Sequence, residues 1–286
     1  MRLLATPLLL VLAACSAAPE LRRSPASDAN DNLNAVAWMQ TSAEYRALAE
    51  QTWRGAADAL DAALADPQWN ALLPGDRAAD ATALPPAVVV DVDETVLDNS
   101  PYQARRVRDG LQYDDATWAA WVREEAARAV PGALAFARAA SERGITIVYI
   151  TNRDADLAAP TLANLRALGF PVGEAGRVFY GKGREVAGCT QPGSDKGCRR
   201  RAVAREYRVL LQVGDQVTDF GSVGHGRDAQ AQFVTEHAGW IGSRWWILPN
   251  PSYGGWEPAL FDNDWSLPAE ARRAAKLDAL ESVDTH

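Results

Sequence analysis

Cysteine, histidine and excess positive charge are the scarce materials of this chain. Its 286 residues hold 3 Cys and 3 His, and 29 Lys and Arg stand against 37 Asp and Glu, for a formal net charge of −8. That balance excludes a nucleic-acid polymer as partner, because no broad cationic face is on offer to displace counterions from a phosphate backbone. The one basic run, CRRRAVARE at 198–206, is short and helically spaced, and it reads as a solvated helix face. His225 and His237 have no partners at metal-ligand spacing and read as ordinary residues. No internal repeat is present, and no low-complexity tract beyond a short tether near the N-terminus. The rest, 48% hydrophobic and 23% charged, is an ordinary globular profile, long enough for one domain with an appendage or for two small ones.

The first fifteen residues are of a different character from the rest of the chain. Arg2 supplies a positive start, Leu3 to Leu12 an apolar stretch, and Ala13 and Ala14 small residues before Cys15. This is the form of a secretory signal peptide, too short to span a membrane. Its ending, LAAC, resembles the lipobox of bacterial lipoproteins, in which the cysteine becomes the lipid-bearing first residue; the rival reading is an ordinary signal peptide with a chance cysteine. The resemblance implies a membrane anchor on Cys15 with several acyl chains, since one chain alone binds marginally. Ser16, where an aspartate would signal inner-membrane retention, points to an outer-membrane lipoprotein of the bacterial cell envelope, facing periplasm or surface. Residues 16–32, rich in Ala, Ser, Pro, Asp and Asn, read as a flexible tether. In an exported chain, Cys189 and Cys198, which close the short loop CTQPGSDKGC, suggest a disulfide rather than free thiols.

From Leu33 to Leu64 apolar residues recur at three- and four-residue steps, which predicts one or two amphipathic helices ended by Asp66-Pro67. Residues 33–84 form an N-terminal helical segment whose last part, from residue 70, is loop-like. Strands and helices then alternate. Val88–Val92 is a β-branched run of the kind buried on both faces. ALAFARAASERG is a helix ending at Gly144, ITIVYIT a strand, APTLANLRALG a helix ending at Gly169, RVFYG a short extended segment, RRRAVAREY a helix and RVLLQVGD a strand. The alternation predicts an α/β core over 85–286, a mostly parallel sheet with helices on both faces and right-handed crossovers. A helical cap insertion at about 99–131, containing DATWAAWVREEAARAV, interrupts it.

Ligands of an open parallel sheet bind beyond the carboxyl ends of its strands. Those ends carry Asp91, Asp93 and Glu94 in DVDETVLDNS, Thr151 and Asn152 in YITNRD, and Asp215 and Asp219 in GDQVTDF; Lys196 precedes the basic helix. Acids gathered in one crevice repel unless a cation joins them. An all-oxygen ligand set selects Mg²⁺, which readily shares its sphere with phosphate and water. Asp98 reads as a turn or helix cap, Glu94 as structural, and Arg153 as either a substrate contact or a cap. Core packing accounts for most of the ten tryptophans, Trp118 and Trp121 standing one helical turn apart.

The acid pair, the threonine, the lysine and the second acid pair, in that order, resemble the haloacid dehalogenase (HAD) superfamily with its Rossmannoid sheet. NLNAVAWMQTSAEYRALAEQTW, DVDETVLDNSPYQ, WAAWVREEAARAVPGALAF, ITNR, GDQVTDF and ILPNPSYGGWEPAL narrow the resemblance to the class C bacterial acid phosphatases, over roughly residues 32–262. It implies hydrolysis of small phosphorylated substrates, nucleoside monophosphates among them, through an aspartyl-phosphate. Asp91 would be the nucleophile and Asp93 the acid/base. Asp91, the Asp93 carbonyl and Asp215 would hold Mg²⁺, with Asp219 orienting its waters. Thr151, Asn152 and Lys196 would bind phosphoryl oxygens, and Trp118 and Tyr253 would flank the leaving group. The family often pairs, and the N-terminal helices offer a surface for a homodimer. Gln216 and Thr218 depart from the family's more usual asparagine and acid, and the cysteine loop around Lys196 is not a family feature. The rival readings are a non-catalytic ligand-binding lipoprotein on the same scaffold and a HAD phosphotransferase.

Overall fold

The computed structural model describes residues 30–190 and 193–283. The leader of residues 1–15, Cys15 and all but the last three residues of the tether lie outside them. The chain enters through α1 (Leu33–Thr41) and α2 (Ala43–Ala65). Ser42 separates the two helices, its hydroxyl accepting a hydrogen bond from the Tyr45 N–H at 3.0 Å and so capping α2. Then come β1 (Pro86–Val90), the two-residue strand β2 (Leu97–Asp98), and the helices α3 (Ser100–Asp109) and α4 (Asp115–Glu124). β3 (Arg128–Ala129) pairs antiparallel with β2 and closes the insertion. Beyond it the order is α5 (Ala133–Glu142), β4 (Thr146–Asp154), α6 (Ala158–Ala167), the short α7 (Ala175–Val178) and β5 (Phe179–Lys182). The chain finishes with α8 (Gly197–Ala204), β6 (Arg208–Gly214), α9 (Arg227–Glu236), β7 (Trp245–Ile247) and α10 (Ala269–Asp278). Among the described residues no helix is long and apolar enough to cross a membrane.

The main sheet is parallel throughout, in the order β5-β4-β1-β6-β7. β1 lies in the middle, so both its faces must be apolar, which is why it reads as alanine and three valines. Alternation divides them. Val88 and Val90 join Trp53, Ala56 and Leu60 of α2 and Phe136 of α5 in one buried cluster. Ala87 and Val89 point the other way, into a cluster with Leu72, Val203 and Tyr207 under α8. The N-terminal helix α2 thus shares the sheet's core, with Trp53 1% exposed.

The insertion holds two helices, α3 and α4. Gly110 in the left-handed region (φ 64°) ends α3, Asp114 caps α4 by accepting from the Thr117 N–H at 2.9 Å, and Glu125 (φ 53°) ends it. The expected helical residues after Glu125 leave the helix because Ala127 and Val130 are drawn into the core while Arg128 reaches Asp98 at 2.8 Å.

Candidate active site

β1 ends at Val90, one residue before the first acid. The Asp91 N–H then donates to the Val213 carbonyl at 2.9 Å, which fastens the start of the acidic loop to the end of β6. A turn follows at once. The Val92 carbonyl accepts from the N–H groups of Val96 and Leu97 at 3.0 and 2.9 Å, and Glu94 adopts a left-handed conformation at φ 55°. On the β6 side the chain leaves through Gly214 into a turn of 3₁₀ helix at Val217–Asp219. A side chain at 214 would place its Cβ 2.2 Å from an Asp219 oxygen, so the glycine makes room for that carboxylate.

Asp91, Asp215 and Asp219 each present an oxygen within 4.8 Å of the others. Lys196, 4% exposed, stands immediately before α8, and its ammonium donates to Asp91 Oδ1 and, at 2.6 Å, to Asp219 Oδ1. Burial alone would favour the neutral amine; the Asp219 and Asp91 charges outweigh it and hold Lys196 protonated above its usual range. Burial pushes Asp91 up to about 7 against the pull of Lys196, with Asp219 and Asp93 adding to the rise. Burial also raises Asp215, helped by the charges of Asp219 and Asp91 and opposed by the Asn250 amide, which donates to Asp215 Oδ2 at 2.8 Å. Three carboxylates, Asp91 and Asp219 buried and Asp215 half-buried, stand here against one ammonium, which touches Asp91 and Asp219. A doubly charged cation with a preference for oxygen ligands fits that deficit and that donor set.

Asp93 faces another set of partners. Arg153, 1% exposed, contacts Asp93 Oδ1 through Nε at 2.9 Å and Nη2 at 2.8 Å, and Asn99 Nδ2 donates to the same oxygen at 2.9 Å. All three contacts fall on Oδ1. Arg153 also donates to Thr161 Oγ1 at 3.1 Å and Asn99 Oδ1 at 3.2 Å, and its guanidinium lies over the Trp118 ring, 5.5 Å from the centroid. Asn99 is fully buried; it further accepts from Trp121 Nε1 at 2.8 Å and donates its N–H to Glu94 Oε1 at 2.7 Å. Glu94 is pushed up to about 8 by burial and by the Asp93 charge, and its other oxygen accepts from the Tyr253 hydroxyl. Asp98 accepts from the Ser100 N–H at 2.9 Å at the start of α3, which is the expected cap.

Trp118 and Tyr253 therefore attach to the acidic loop from two sides, Trp118 through Arg153 and Tyr253 through Glu94. The Trp118 ring meets Tyr102 edge-on at 5.2 Å. Gln216, one of the two departures from the family pattern, accepts from the Gly255 N–H at 3.0 Å and so ties the β6 turn to the loop of Tyr253.

At the end of β4, Thr151 is buried and its hydroxyl oxygen accepts from the Arg153 N–H at 3.1 Å. Asn152 is exposed. Both are held by Arg199 of α8, which corrects the expectation of a solvated basic face. Arg199 and Arg200 are buried, at 4% and 0% exposure, because each guanidinium finds oxygens waiting in the interior. Arg199 donates to the Thr151 carbonyl, to Asn152 Oδ1 at 2.7 Å, and to the Ser194 and Asp195 carbonyls at 3.1 and 2.9 Å. Burial lowers it to about 10, which leaves it charged. Arg200 donates to Asp76 Oδ2 at 2.6 Å and to the Thr218 and Asp219 carbonyls, both at 3.3 Å, and so pins the turn that carries Asp219. Cys189 and Cys198 are joined by a disulfide with Cα atoms 5.7 Å apart, closing the loop that delivers Lys196. Asn99, Arg199 and Asn250 escaped the sequence reading. Asn99 and Asn250 lie inside motifs whose charged neighbours drew the attention, and Arg199 lay in a run of like charge.

Comparison with known proteins identifies the family and the fold. The model of the HAD superfamily, subfamily IIIB (acid phosphatase), matches residues 13–256. The structure is similar to that of the class C acid phosphatase from Bacillus anthracis, with a TM-score of 0.76 and 32% identity over 88% of this chain and 98% of the other. A second structure of that phosphatase, with tungstate bound, gives a TM-score of 0.75 at the same identity and coverage. Two plant proteins are more distant relatives, the stem 31 kDa and 28 kDa glycoproteins of Glycine max. They are 26% and 24% identical over 165 residues, and each match spans 58% of this chain and 58% of the relative.

Proposed function

The chain belongs to subfamily IIIB of the HAD superfamily, the acid phosphatases, and from that premise we propose that it hydrolyses phosphate monoesters at the crevice between β1 and β6. The observation that carries the reading is the meeting of Asp91, Asp215 and Asp219 around Lys196 at the carboxyl ends of those strands.

In this reading an Asp91 oxygen attacks phosphorus, the ester P–O bond breaks, and an aspartyl-phosphate forms. The leaving oxygen takes a proton from Asp93. Both donors to Asp93, Arg153 and Asn99, engage Oδ1, so Oδ2 is the oxygen free to carry that proton. In the second half Asp93 removes a proton from water as the water attacks phosphorus, and phosphate leaves with Asp91 restored. Lys196 lies against Asp91 and neutralises phosphoryl oxygens as they approach. Thr151, whose oxygen is occupied by the Arg153 N–H, has its O–H left to donate. Bound Mg²⁺, held by Asp91, the Asp93 carbonyl and Asp215, with Asp219 orienting its waters, would supply charge neutralisation at the phosphoryl group.

The finer proposals rest on particular supports. The two aromatic residues tied to the acidic loop, Trp118 and Tyr253, favour a nucleoside monophosphate, whose base can stack. The leader pattern with Cys15 and the Cys189–Cys198 disulfide support export and a lipid anchor in the bacterial envelope. The test is hydrolysis of p-nitrophenyl phosphate, AMP and nicotinamide mononucleotide with and without EDTA, in the wild type and in Asp91→Asn. Turnover that EDTA stops, Mg²⁺ restores and Asp91→Asn lacks is the expected result. Full activity in Asp91→Asn would overturn the assignment.

A further inference from the structure

A primary amide is ambiguous at an anion site. Its NH₂ attracts a phosphoryl oxygen and its C=O repels one, and the two ends have nearly the same shape. Asn152 stands exposed at the end of β4 with this choice to make. Arg199 makes it. A guanidinium has donors and no acceptor, so the amide end that meets Arg199 Nη2 at 2.7 Å must be the oxygen. The NH₂ is thereby left as the free end. The same guanidinium takes up the Thr151 carbonyl, the other acceptor at this strand end. Two acceptor oxygens of neighbouring residues are thus occupied by one buried cation.

Arg199 is itself fixed from the other side. Its Nη2 donates to the carbonyls of Ser194 and Asp195, the two residues just before Lys196. The neighbouring Cys198 is bonded to Cys189. One side chain therefore joins the strand end that carries Thr151 and Asn152 to the loop that carries Lys196.

We infer that Arg199 is a positioning residue of the phosphoryl pocket: it sets the Asn152 amide with its NH₂ toward the anion and holds that donor in register with Lys196. The inference rests on the phosphatase reading and deepens it. Without Arg199 the amide is free to turn its oxygen inward, so the loss falls on anion binding before it falls on the chemical step.

The experiment is a double-mutant cycle of Arg199→Met, Asn152→Ala and the pair, reading KM for p-nitrophenyl phosphate, Ki for inorganic phosphate and kcat, with thermal melting as the fold control. Arg199→Met should raise KM and the phosphate Ki by about 10- to 100-fold, the worth of a charge-assisted hydrogen bond, with a smaller change in kcat. The double variant should be no worse than the weaker-binding single, because Arg199 acts through Asn152. Arg199→Lys should recover part of the loss, one ammonium being unable to serve four oxygens in a fixed fork. If Arg199→Met does not fold, the cycle of Arg199→Lys with Asn152→Ala carries the same comparison. Losses that multiply in the double variant, or an Arg199→Met protein with wild-type phosphate Ki and a lowered melting temperature, would overturn the inference and leave the phosphatase standing. A wild type that neither turns over phosphate esters nor binds phosphate would bring down both.

Discussion

Replacing Lys196 by Met removes the one ammonium that touches both Asp91 and Asp219 and leaves the volume of the side chain nearly unchanged. What remains in the absence of metal is three carboxylates facing each other, Asp91 and Asp219 buried, without that cation. Breaking a buried ion pair from one side costs about 3–5 kcal/mol, against a total stability of about 5–15 kcal/mol for a folded domain. At about 2–4 °C per kcal/mol for a chain of this size, the melting temperature in EDTA should fall by about 10 °C. The deficit depends on pH in a fixed direction. The folded Asp91 already titrates near 7, far above an ordinary carboxyl, so its charge is a burden above that pH and is relieved as pH falls and the group takes a proton. The gap between variant and wild type should therefore be widest under alkaline conditions and narrow toward acid. Saturating Mg²⁺ should narrow it too, since the ion supplies part of the missing positive charge. Turnover is a separate matter: losing one preorganised cation at the phosphoryl oxygens should lower kcat by about 10²–10³-fold even with metal present. Differential scanning fluorimetry across pH, with and without metal, reads the first effect and p-nitrophenyl phosphate kinetics the second. A Lys196→Met protein that melts with the wild type in EDTA and keeps its kcat within about tenfold would refute the electrostatic account of the site.

Trp118→Ala should raise KM for AMP by about tenfold or more, the scale of one base–aromatic stack, and change KM for glycerol phosphate little; equal effects on both esters would remove Trp118 from the leaving-group site. Reduction of the Cys189–Cys198 disulfide should cost about 2–3 kcal/mol of stability, as expected for a short closed loop, and should raise KM, because the loop delivers Lys196. Unchanged melting and KM under reducing conditions would assign the bond no part in holding the site.

The parts of the protein that could be read in the sequence are those whose cause is local. Three valines ending at an aspartate announce a buried strand delivering its polar end, and Gly144 and Gly169 stop their helices as the residue type dictates, at φ 71° and 88°. The elements that escaped, α9, β7 and α10, gave no such signal. α9 and α10 have no buried residues, and β7 is three residues long. The arginines at 199 and 200 were misread for a different reason. A run of like charge is ordinarily solvated, and what reverses that here lies 48 and 124 residues away in sequence, at Thr151 and Asp76. Pairing at such separations leaves no trace in periodicity. Asn99 likewise gains its meaning from Arg153 and Trp121, which no local pattern joins to it.

The loop of Tyr253 is stitched to the acids twice, Asn250 to Asp215 and Tyr253 to Glu94, and a third time to the β6 turn through Gly255 and Gln216. A lineage of such enzymes is therefore not free to redesign that loop for a new alcohol while leaving the ion's ligands alone; each drift in one wall is felt by the other. Trp118 of the cap meets the acids differently, its ring lying over the Arg153 guanidinium that holds Asp93. Diversification of substrate choice should accordingly be recorded at Trp118, while the tyrosine loop is inherited together with the acids.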